Sequence, residues 1–160
     1  MTLTARLFED YNAALLLFAE EEISGEAYFA RLASFHSGRQ SHALLLLARM
    51  ESVVASAART LLVRHGLATA DASALRGAGQ AEADAKAGTP WRDLVAEMTA
   101  DFPAFVEEFE QVERLAPADE RAVVRIFTKH EVAALEFARL EAGGNVDSLA
   151  PLERFLAEHG

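Results

Sequence analysis

Residues 7–35, LFEDYNAALLLFAEEEISGEAYFARLASF, set Leu7, Tyr11, Ala14, Phe18, Glu21, Gly25, Tyr28, Leu32 and Phe35 on one stripe. The spacing repeats about every 3.5 residues, the period of an amphipathic helix and not the alternation of a strand. Two later stretches behave alike. One carries Leu44, Leu47/Ala48, Glu51, Val54/Ala55, Ala58 and Leu62. The other carries Val123, Ile126/Phe127, His130, Ala133/Ala134, Phe137 and Leu140. Each stripe holds one ionisable residue among apolar ones: Glu21, Glu51 and His130. A charge turned into a helical core costs several kcal/mol unless it is paired or bound to metal. Inward-facing carboxylates and imidazoles from separate helices are how bundle proteins build metal sites.

Punctuation residues mark out the helices. The first is expected from about Thr4 to about Phe35, capped by Thr2 or Thr4, with Gly38 in the following turn. The second follows Ser41 and runs to about Arg64, ending at His65-Gly66. The short connection makes these two an antiparallel hairpin. Residues 67–88 are rich in Ala and Gly and poor in large apolar side chains, so they read as a long crossover, with at most a short helix opening at Asp71. Thr89-Pro90 starts a third helix over about Trp91–Arg114, with Trp91, Leu94, Met98, Phe102, Phe105, Phe109 and Val112 inward and a kink predicted at Pro103. A fourth helix runs from Pro117 to about Ala142, and a short fifth covers about 149–158. The expectation is an all-α fold: a single domain over residues 1–160, built as a four-helix bundle with one long crossover between helices 2 and 3 and a short C-terminal helix.

Composition removes several function classes. The chain has 160 residues, a formal charge of −10 and no cysteine. Disulfides, thiolate metal sites and thiol nucleophiles are therefore excluded. The negative charge opposes binding to nucleic acid or an anionic membrane, and no basic stripe offsets it. The N-terminus does not read as a secretory signal, and no apolar run is long enough to span a bilayer. A cytoplasmic protein is expected. His36, His42, His65 and His159 lie near element ends and form no paired-histidine motif, and neither a Gly-rich phosphate loop nor a Ser–His–Asp arrangement occurs.

Taken in chain order, the stripes resemble the ferritin-like superfamily, particularly its rubrerythrin-like branch. Glu21 followed by Tyr28 is similar to that branch's ligand glutamate and later tyrosine. Ala48-Arg-Met-Glu51-Ser-Val-Val54-Ala55 looks like Ala-x-x-Glu-x-x-His-Ala with Val54 in place of His. Glu97, which borders the apolar face beside Leu94 and Met98, precedes Phe102-Pro103-Ala104-Phe105 as in the family's third helix. Phe127-Thr-Lys-His130 resembles Glu-x-x-His with Phe127 in place of Glu. The resemblance covers roughly Leu7 to Ala142. It implies Glu21, Glu51, Glu97 and His130 as metal ligands, iron or manganese as the metal, and Tyr28 as a neighbour. Each Glu-x-x-His motif here keeps only one of its two ligands, so the resemblance does not imply a full two-metal set.

Two function classes follow. One is a ferritin-like metal-binding protein, an oxidoreductase or a metal-handling protein. The other is a degenerate, metal-free bundle acting as a binding or structural subunit. Relatives of this kind commonly pair through flat, Ala-rich helix faces, so a homodimer is expected.

Overall fold

The computed structural model describes residues 2–160, and all regular secondary structure among them is helical. Six helices follow one another: α1 (Tyr11–Ala33), α2 (Gly38–Arg64), α3 (Ala72–Asp84), α4 (Trp91–Leu115), α5 (Arg121–Ala142) and α6 (Ala150–His159). The fold is all-α, as periodicity and composition require. No described helix is long and apolar enough to cross a membrane.

The chain divides into two compact units, with the division inside α1. One comprises the N-terminal residues through Ala14 with Pro90–His159, the other Leu15–Thr89 with Gly160.

In the Leu15–Thr89 unit, α1 and α2 form an antiparallel hairpin. Gly38, with φ +55°, makes the turn between them. The Ser41 hydroxyl donates to the Ala33 carbonyl at 3.0 Å beside that turn, and farther along both helices Glu51 lies against Gly25. Residues 67–88 are more ordered than their composition suggests. Asp71 accepts the Ala74 N–H at 3.0 Å and so caps the 13-residue α3. A small residue, not a large apolar one, then seats α3. A Cβ at Gly79 would strike the Ser24 carbonyl oxygen and come within 3.1 Å of the Tyr28 nitrogen, so only glycine allows this approach to α1. Arg31 closes the contact with a 2.6 Å ion pair to Asp84.

In the other unit, the first residues are not helical, although α1 was expected from Thr4. Their backbone is held by side chains of α4. The Leu3 N–H donates to Asp101 at 3.3 Å, the Arg6 N–H to Glu108 at 2.8 Å and the Phe8 N–H to Gln111 at 3.0 Å. Gln111 returns a bond to the Arg6 carbonyl at 2.8 Å. A helical start at Thr4 would forgo all four. The helix begins instead where Asp10 accepts the Ala13 N–H at 2.6 Å.

In the same unit α4 and α5 pack together, and α6 packs on α5. Trp91 Nε1 at the start of α4 donates to Glu141 at the end of α5, 3.0 Å away, which makes this second hairpin antiparallel. The α4 helix passes through Pro103, whose ring leaves the Thr99 carbonyl without its usual helical donor. Along α4 the buried side chains include Leu94, Met98, Phe102, Phe109 and Val112, five of the seven inward positions read from the sequence; Trp91 and Phe105 are half-buried.

Candidate functional site

The acidic run Glu20-Glu21-Glu22 on α1 splits three ways. Glu20 accepts the Ala70 N–H at 2.7 Å and ties down the segment ahead of α3. Glu21 is half-buried. Glu22 is buried, with 3% of its surface exposed. The buried face of α1 takes in Leu15, Phe18, Glu22, Phe29, Leu32 and Ala33, so Glu22 and not Glu21 is its inward acid.

Glu51 on α2 is also buried, at 9% exposure. Glu22 and Glu51 offer carboxylate oxygens that lie within 4.8 Å of each other. Two carboxylates removed from water at this separation repel unless a cation or a shared proton lies with them. The room for the second comes from Gly25, one turn beyond Glu22. A Cβ at Gly25 would collide with Glu51 Oε2 and sit 3.1 Å from its Cδ.

In the other unit, His130 on α5 is completely buried. Its ring stands edge-on to Phe109, with centroids 5.3 Å apart, and 6.3 Å from the Phe155 ring. Its Nδ1 makes a short hydrogen bond with the Phe127 carbonyl oxygen, one helical turn back. A carbonyl only accepts, so Nδ1 carries the proton. In the neutral ring Nε2 then holds the lone pair, the form of imidazole that binds metals. Glu131, also buried, lies with Oε1 3.5 Å from Nε2. The imidazole therefore has two roles open to it: a neutral ligand through Nε2, or a cation paired with Glu131.

Glu97, the remaining ligand read from the sequence, is exposed on α4. Tyr28 is half-buried and stands edge-on to Phe29. Tyr11 donates its hydroxyl to Glu120 at 2.8 Å, a carboxylate that is itself almost wholly buried. Several acids of this unit have bases or hydroxyls beside them. Glu108 meets Arg6 at 2.7 Å, and Glu141 accepts from both Trp91 and Ser148. Glu113 accepts from Arg125 at 2.8 Å and from Thr128 at 2.9 Å. Burial alone would raise the Glu113 carboxyl, but these two hydrogen bonds and the charges of Arg125 and Arg121 outweigh it and lower its pKa below the ordinary 4.5. Such arrangements hold helices together and leave little for chemistry.

Set against family models, curated proteins and solved structures, the chain matches none of them. The donors themselves carry what can be said of the site. Carboxylate oxygens and a neutral imidazole suit iron, manganese or zinc and do not suit soft thiophilic ions. Val54 and Phe127 lie on the same helix faces as Glu51 and His130, are fully or almost fully buried, and offer no donor atom.

Proposed function

We propose that the protein is a metal-binding helical protein of ferritin-like organisation, in which Glu22 and Glu51 hold a single iron or manganese ion. The observation that carries this reading is the pair of buried carboxylates, Glu22 and Glu51, brought within 4.8 Å by facing helices. Stability alone gives no reason to keep two acids there, because apolar residues of similar volume would fill the space at lower cost. Within its own unit His130 offers an imidazole whose Nδ1 hydrogen bond directs the lone pair to Nε2. In this reading Glu21 and Glu97 lie outside the ligand set, and the two hairpins with the crossover between them make up the ferritin-like bundle. A single ion with carboxylate ligands suits metal handling or a redox reaction at that ion. Pairing into a homodimer through Ala-rich helix faces goes with the same reading.

The test is elemental analysis of protein purified without chelator or metal-affinity resin. About one equivalent of iron or manganese per chain is expected, falling to background in Glu51→Gln and in Glu22→Gln. Background metal in the wild type after exposure to both ions would remove the proposal.

A second reading has its own support. His130 Nε2 lies 3.5 Å from Glu131 Oε1, so a protonated imidazole finds its counter-charge on its own helix with no metal. A metal-free bundle acting as a structural or binding subunit would use that pair. Metal content separates the two.

A further inference from the structure

We infer that Gly25 is the positioning residue of the Glu22–Glu51 pair: its missing side chain forms a notch in α1 that seats the Glu51 carboxylate beside Glu22. The inference deepens the metal-binding reading and rests on it for its bearing on the metal. The notch itself rests on geometry alone. Glycine inside a helix is destabilising relative to alanine, so one kept in the middle of α1 needs a local reason. Three glycine environments in this unit show the contrast. Gly77 on α3 has nothing within 4 Å of a Cβ placed on it, and Gly79 meets backbone atoms of Ser24 and Tyr28. At Gly25 the three nearest atoms all belong to one side chain: Oε2, Cδ at 3.1 Å and Cγ at 3.6 Å, all of Glu51.

Glu22 and Gly25 are one turn apart and therefore share a face of α1. A carboxylate followed one turn later by an empty place makes a Glu-x-x-Gly step: α1 supplies one acid and cedes the adjoining volume to the acid of α2. With any side chain at position 25, the Glu51 carboxylate must turn away. The two acids would then no longer be held at the separation that one divalent cation bridges. Residues that orient a ligand without touching the metal commonly alter affinity by about 10–100-fold when replaced.

The experiment combines a double-mutant cycle in metal-free protein with titration of Mn(II). Melting temperatures are measured for the wild type, Gly25→Ala, Glu51→Ala and the double variant, with Gly77→Ala as a control for alanine's intrinsic helix preference. Gly25→Ala is expected to lower the melting temperature when Glu51 is present and to raise it in the Glu51→Ala background, a reversal that a merely structural glycine would not show. Mn(II) affinity is expected to fall by about 10–100-fold in Gly25→Ala and to stay at the wild-type value in Gly77→Ala. Gly25→Ala that does not fold while the double variant does is the same result in stronger form. The same sign of effect in both backgrounds, or failure of both to fold, overturns the notch, and so does wild-type Mn(II) affinity in a folded Gly25→Ala. A wild type that binds no Mn(II) while the reversal holds overturns the metal reading and leaves the seating of Glu51 by Gly25 standing.

Discussion

Glu108 of α4 accepts three hydrogen bonds from Arg6: from its backbone N–H at 2.8 Å, from Nε at 3.1 Å and from Nη2 at 2.7 Å. One buried carboxylate thus fixes both the path and the side chain of the N-terminal segment, and it explains why that segment is not the first turn of α1. In Arg6→Ala the carboxylate keeps the backbone donor but loses its cation. The loss should be about 1–3 kcal/mol, below the full cost of breaking a buried pair because Arg6 is itself 43% exposed. Urea unfolding measures the loss, and faster hydrogen exchange at the Phe8 amide should accompany it. Unchanged stability would show that the segment is not anchored through Glu108.

The two glycines of α3 should respond in opposite directions. At Gly79 an added Cβ meets backbone of α1, which cannot swing aside like a side-chain end, so Gly79→Ala should lose about 1–3 kcal/mol. Gly77 faces open space, and alanine there should gain about 0.4–1 kcal/mol by restricting the unfolded chain. Thermal melts of the two variants decide whether α3 is seated on α1 as described.

Glu113 makes stability depend on acidity. Its pKa is lowered in the folded protein, so the Arg125 and Thr128 contacts stabilise fully above the ordinary carboxylate range, and the contribution disappears as pH falls through the folded value. Glu113→Gln should cost about 1 kcal/mol at neutral pH and should narrow its gap to the wild type as pH falls from the ordinary carboxylate range through the lowered folded value. A gap independent of pH would mean that Glu113 gains nothing from its charge.

Much of this was legible in the sequence because burial follows period. The stripes on α2 and α5 put Glu51 and His130 inward, and both are buried. On α1 three consecutive glutamates offered no apolar contrast among themselves, so the choice depended on the assumed repeat, and Glu22 is the buried one where Glu21 was expected. Glu97 bordered its stripe, and a position on the rim of a helix face can turn either way; it is exposed. The short helix read at Asp71 is present as α3, but its seating was hidden because it depends on the absence of a side chain at Gly79, which periodicity of apolar residues cannot register. The start of α1 was misplaced for a related reason: the competitors for its first turn, Asp101, Glu108 and Gln111, lie about a hundred residues away in the chain.

The central claim is that Glu22 and Glu51 bind a metal ion, and one comparison of melting temperatures tests it most directly: wild type and Glu51→Leu, each with and without chelator. A bound ion adds stability by mass action, so chelation should lower the wild-type melting temperature and leave Glu51→Leu unmoved, with the variant melting below the metal-loaded wild type. A wild type indifferent to chelator, together with a Glu51→Leu protein that melts higher because leucine fills the space without a buried charge, would contradict it.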